Sequence, residues 1–157
     1  MRTTERQQLP LRGQWKLTAR HIATGEIIEK EGWNLIVTVG KTLLAEILTD
    51  QPGYDTGFTY QAIGTSNTAV NVADTQLTTE TARQIVTSRT FTTGQATFTT
   101  FFTAAQSTYN IKEGGMFGHS TASGTANSGV LFSHWLVSFD NSGGLYDLTF
   151  TYILTIG

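Results

Sequence analysis

Three histidines, a Gly-Lys-Thr triplet and a serine between small residues are the places where this chain could do chemistry. The serine lies in Gly118-His119-Ser120-Thr121-Ala122, close to the G-x-S-x-G nucleophile elbow. That elbow needs a helix directly after it, and an acid followed by a histidine downstream. Here a Ser/Thr/Gly/Asn-rich stretch, His119 to Gly129, follows and reads as a mobile loop. The only later histidine, His134, precedes Asp140, so the order is reversed and hydrolase chemistry is not expected. Gly40-Lys41-Thr42 matches the second half of a phosphate-binding loop, but the first glycine would fall on Leu35. Ile36 to Val39 are strand-like and apolar and form no amide-lined cradle. Gly40 is instead expected to let a strand and a helix pack closely.

His21, His119 and His134 have no second ligand at metal-site spacing, and Asp140 to Gly144 lacks the alternating acids and terminal glutamate of a calcium loop. There is no cysteine, which excludes disulfides and thiol chemistry. No cofactor, metal or catalytic residue is therefore expected. Trp15, Trp33 and Trp135 have the chemistry to stack on sugar rings in a carbohydrate-binding module, but core or subunit packing is the expected use.

The stretch that organises the chain is Tyr109 to Gly118, YNIKEGGMFG. Tyr109, Ile111 and Glu113 share one face of a strand, and Asn110 and Lys112 the other. Gly114 and Gly115 then allow a positive φ or a close approach before Met116 and Phe117 return to the core. A carboxylate in that position is expected to hold a loop by accepting backbone N–H bonds rather than to catalyse.

The elements that must position these residues are mostly strands. Gln14 to Ile22 alternates Trp15, Leu17, Ala19 and His21 with polar residues, and returns through Gly25 as a hairpin from Ile27. Trp33 to Thr38 is an apolar run leading into one helix, about 39 to 49, with Val39, Leu43 and Ile47 on its stripe and Thr38 as N-cap. Phe58 to Gly64 is a short strand. Thr65 to Thr79 is a polar connection long enough to be an interaction loop, ending in Glu80 and Arg83 at a spacing that lets them pair. Gln84 to Phe91 and Ala96 to Thr103 form a hairpin. Val130 to Ser138 and Leu145 to Ile156 close the chain, the last with an unbroken apolar face that must sit centrally against a second layer. The fold expected is mainly β, an antiparallel β-sandwich of jelly-roll-like type with one short α-helix packed against it.

A length of 157 residues suits one domain, and no repeat or second domain is visible. Only 14% of residues are charged, which fits an extended β protein with uncharged surfaces better than a helical enzyme. Six of the ten basic residues fall in the first thirty. Residues 1–12 read as an extended arm and 13–157 as a single sandwich domain. The arm lacks interleaved aromatics and the pI is near 5.9, so nucleic acid is not the expected partner. No apolar run reaches the roughly 18 residues of a membrane span and no signal peptide is visible, so a soluble protein made in a cytoplasm is expected.

Several segments, in their order and spacing, resemble a family of tailed-bacteriophage virion proteins. They are Asn34-Leu35-Ile36-Val37 with Gly40 and the helix; Ala62-Ile63-Gly64-Thr65; Asp74-Thr75 with Leu77, Glu80 and Arg83; Ile111-Lys112-Glu113 with Gly115-Met116-Phe117; and the closing strand Leu148 to Ile156. The resemblance implies a non-enzymatic β-sandwich of the virion: a capsid decoration or cement protein acting as a homo-oligomer, commonly a trimer, on the major capsid protein. The alternative it leaves is a tail, neck or baseplate protein. On this reading Arg2, Arg6, Leu9, Leu11 and Arg12 of the arm are candidate contacts, with Asn67, Val70, Asn71 and Val72 of the long connection. Glu80, Arg83, Glu113 and Gly115 are structural.

Overall fold

A computed structural model describes residues 10–53 and 56–157. The chain is mainly β and antiparallel throughout its ladders, with a single short helix. In order it forms β1 (Leu11–His21), β2 (Ile27–Trp33), β3 (Leu35–Ile36), α1 (Thr38–Leu48), β4 (Phe58–Gly64), β5 (Glu80–Thr92), β6 (Gln95–Phe102), a 3₁₀ turn (Ala104–Ser107), β7 (Asn110–Gly118), β8 (Val130–Asp140) and β9 (Tyr146–Ile156).

The nine strands make one sheet in the order β2-β1-β9-β6-β5-β4-β7-β8-β3. The two layers expected of a sandwich are thus two halves of a single sheet, nearly closed into a barrel. The join is β5. Its first half pairs with β4 and, after an irregularity between Val86 and Ser88, its second half pairs with β6. A bulge bends a strand and raises its twist, which is what turning a corner between two layers requires. Closure at the other side is made by β3, which pairs with β8 while the amide of Asn34 donates to the Gly13 carbonyl of β1 at 3.0 Å.

Alternation along β9 puts Leu148, Phe150, Tyr152 and Leu154 into the core, and β8 answers with Phe132, Trp135, Val137 and Phe139. The Trp135 and Tyr152 rings stack at 5.8 Å between centroids, and Phe58 stacks on Phe132 at 4.1 Å.

Helix α1 packs on β8, with Leu43 fully buried. Its N-cap residue is Val37, which gives no side-chain cap, so the expected Thr38 cap is corrected. The Thr38 amide is satisfied instead by the Val72 carbonyl, at 2.8 Å, from the long connection. Gly40 sits in the first turn, where a Cβ would collide with the Phe132 backbone. That is the expected close approach, and it leaves Gly40-Lys41-Thr42 within a helix rather than in a phosphate cradle.

Strand β1 begins earlier than its side-chain pattern implies. Leu11 and Arg12, assigned to the arm, pair with Ile156 and Thr155 of β9. Arg2, Arg6 and Leu9 lie outside the described residues.

Candidate functional site

Strand β7 lies between β4 and β8 and continues through Gly114 and Gly115. Its register against β8 shifts between Ile111 and Glu113, so Ile111 joins the main core and Glu113 turns to the long connection, and the shared face expected of the two is corrected. Neither glycine has a positive φ; what they supply is room. A Cβ on Gly114 would lie 2.6 Å from the Trp135 indole, and one on Gly115 would lie 2.8 Å from Leu77 and 2.9 Å from Leu131. Leu77 comes from the connection 65–79, which is fastened over this outer face. With Val37, Ala62, Phe117 and Leu131 it makes a second small core there.

Glu113 does the fastening. Its carboxylate accepts from the amides of Thr79 at 2.7 Å, Thr78 at 3.0 Å and Ser66 at 3.4 Å, so both ends of the connection are held by one buried side chain. This is the loop-holding role expected from the sequence. The fourth partner is His134 of β8, whose Nε2 lies 2.8 Å from Glu113 Oε2. The other ring nitrogen, Nδ1, lies 2.7 Å from Asp74 Oδ2 in the middle of the same connection. An imidazole with a carboxylate on each nitrogen donates from both when it is the imidazolium.

The electrostatics follow from that geometry. Burial pulls the His134 pKa down, but the hydrogen bonds to Glu113 and Asp74 outweigh it and the net shift is upward. Burial pushes Glu113 up, but His134 and the amides of Thr79 and Thr78 outweigh it and the net shift is downward. Both groups are held in their charged forms. With both nitrogens engaged, His134 has no lone pair for a metal and no open side toward a nucleophile, so Asp74–His134–Glu113 is a tie and not a charge relay. No group of three or more potential metal ligands is found among the described residues.

A second buried pair fastens the other loop. Arg83 Nε and Nη2 donate to the two Glu80 oxygens at 2.6 and 2.8 Å, with both side chains almost wholly buried. Arg83 Nη1 also donates to the carbonyls of Ser123 and Ser128 and to Ser128 Oγ, while Glu80 accepts from the Asn127 amide. The guanidinium lies 4.4 Å over the Phe117 ring. Loop 119–129, read from its composition as mobile, is therefore held at several points by β5.

The remaining sequence candidates separate. Asn67, Asn71 and Val72 are exposed on the connection and Val70 is half-buried. His21 Nδ1 accepts from the Ala23 and Thr24 amides and shapes the first hairpin turn. His119 has φ 76° at the end of β7, with Nδ1 2.7 Å from Thr121 Oγ1, and no helix follows Ser120. Asp140 accepts from the Ser142 amide in a turn. Trp15 and Trp135 are buried and only Trp33 is exposed, so no face of stacked tryptophans exists for a sugar.

Sequence reading missed the role of His134. Its partners are 21 and 60 residues away, and only the β7–β8 register and the path of the connection bring them together. The one available signal was a histidine in an apolar strand that must cross beside the strand bearing Glu113. No helix among the described residues is long and apolar enough to cross a membrane. Compared with protein-family models, characterised proteins and solved structures, the chain matches none.

Proposed function

We propose that this chain is a non-enzymatic structural protein of a tailed-bacteriophage virion: a capsid decoration protein that seats as a homo-oligomer on the major capsid protein and stabilises the shell. It is made in the host cytoplasm and ends in the virion. The observation that carries the reading is where the family-like segments meet. Asp74, Leu77, Glu113 and Gly115 come together in the fastening of the connection 65–79, and Glu80 with Arg83 fastens the loop beside it. The charged groups buried in this region hold backbone in place, which favours a presenting surface over a reaction site.

The mechanism is binding without chemistry. A long loop that must order on its partner loses affinity to that ordering, whereas one already fastened does not. Asn67, Asn71 and Val72 stand exposed on the fastened connection and are the contact residues in this reading. Apolar burial contributes roughly 25 cal/mol per Å² before association costs, and many seats on one lattice multiply modest single contacts.

Cosedimentation of the purified protein with capsids and, separately, with tails tests it. Saturable binding to capsids alone, at a fixed ratio to capsid subunits, is the expected result. Binding only to tails would move the protein to a tail, neck or baseplate role, and binding to neither would overturn the virion reading.

A further inference from the structure

The barrel is shut at only one end of its seam. Where β3 pairs with Ser133 and His134 of β8, the wall is continuous. Past that point β8 residues 135–140 have β7 on one edge and no strand on the other, and β2 has β1 on one edge and none on the other. Beside the free edge of β8 lies a groove of about 490 Å³ lined by Trp15 of β1, Asn67, Lys112 of β7, and Leu136, Val137 and Ser138. The Trp15 indole forms its floor beneath β2, within 2.8 Å of where a Gly32 Cβ would stand. A strand edge with no neighbouring strand, beside an apolar side chain such as Trp15, is the geometry that accepts an added strand.

The charges around the seam are ordered by the pleat. Glu29 and Glu31 pair with Thr18 and Lys16 on the outer face of β2, while Asp140 on the outer face of β8 already has Lys112 near it. Glu31 meets Lys16 only at 3.8 Å, with both side chains exposed. Lys30 pairs with the buried Leu17 and so faces the core side, yet it is exposed and makes no ion pair among the described residues. Along β2, an occupant with cations on its outer face and an acid on its inner face, toward Lys30, meets complementary charge.

Residues 1–9, MRTTERQQL, have that pattern. At a strand's period of two, Arg2 and Arg6 share one parity; Met1, Glu5 and Leu9 share the other. Nine extended residues reach about 30 Å, enough to cover the free length of β8. Where the segment joins the fold says which copy it serves. The Pro10 carbonyl accepts from the Gly157 amide at 3.0 Å and Leu11 pairs with Ile156, so the chain enters β1 in line with β9 at the shut end of the seam. To fill its own groove the segment would have to reverse and round β3 first. A segment from another copy meets no such obstacle.

We propose that residues 1–9 of one copy add as a strand in the β2–β8 seam of a second copy, with Arg2 and Arg6 beside Glu29 and Glu31 and Glu5 toward Lys30. This deepens the homo-oligomer part of the function proposed above, but its test needs no capsid, so the two fail separately. The full-length protein is measured by light scattering over a dilution series, alone and with charges reversed. The wild type is expected to self-associate. Arg2→Glu with Arg6→Glu weakens association at least about tenfold, as does Glu29→Lys with Glu31→Lys, and all four changes together restore it. A monomeric wild type overturns the proposal, as does association that survives reversal of the two arginines or a quadruple variant that stays dissociated. If the β2 variant does not fold, the arginine variant alone decides, since residues 1–9 lie outside every described strand.

Discussion

His134 Nε2 lies 2.8 Å from Glu113 Oε2 on neighbouring strands, both side chains fully buried, and each holds the other in its charged form. The pH dependence of this contact is set by two opposite shifts. The raised His134 contributes stability that is fully present below its ordinary 6.5 and is lost as pH rises through the folded value. The lowered Glu113 contributes stability that is fully present above its ordinary 4.5 and is lost as pH falls through the folded value. The melting temperature of the wild type should therefore be flat between about 4.5 and 6.5 and fall on either side. In His134→Gln the alkaline fall should disappear. Melts across the pH range check this, and an unchanged alkaline limb in the variant would count against the tie.

Breaking the Glu80–Arg83 pair leaves one charge buried without its partner. Arg83→Met should cost about 3–5 kcal/mol, the usual scale for removing one partner of a buried pair. It should also release loop 119–129, which loses the contacts to Ser123 and Ser128. Denaturant unfolding gives the first quantity. Faster proteolysis within the loop gives the second.

Gly40→Ala reverses the usual rule for helices. Alanine in a helix interior is normally better than glycine by about 1 kcal/mol. Here the added methyl meets the Phe132 backbone, which cannot swing aside, so the variant should be destabilised by about 1–3 kcal/mol. A rise in stability would mean that α1 can lift from β8 at little cost.

Gln61 is fully buried on β4, and neither its amide nitrogen nor its oxygen has a partner among the described residues. Replacing an unpaired polar group with an apolar one of similar size removes a desolvation cost of about 1–3 kcal/mol. Gln61→Met is expected to be neutral or more stable. A clear loss in denaturant titration would show that the amide is bonded in solution.

The legible parts of the chain are those whose signal is local. Phe58 to Gly64 alternates and is bounded by glycines, and it forms β4 with those limits. Val39, Leu43 and Ile47 mark the helix to within one residue at each end. Glu113 was legible because a lone acid in an apolar strand must find donors. What could not be read depends on backbone pairing or on distant partners. Leu11 and Arg12 do not look like strand, yet the β9 ladder takes them because it pairs main chain regardless of side chain. The joining of two layers into one sheet rests on a bulge inside β5, for which Ile85 to Ser88 carries no glycine or proline signal. The Asp74–His134 contact spans 60 residues and waits on both.

Strand β9 lies between β1 and β6, with Leu11 opposite Ile156. The middle of one half of the sheet is thus supplied by the last segment of this sequence, against a strand from its beginning. Ladders of such long separation must close the largest loops before any pairing rewards them, which slows folding toward the millisecond-to-second range. Until β9 arrives, β1 with β2 is a hairpin with one bare edge, and β6 has another. A nascent chain that has emerged through β6 but not β9 would carry both of these edges at once, so edge-to-edge pairing between neighbouring nascent chains is a hazard this strand order creates.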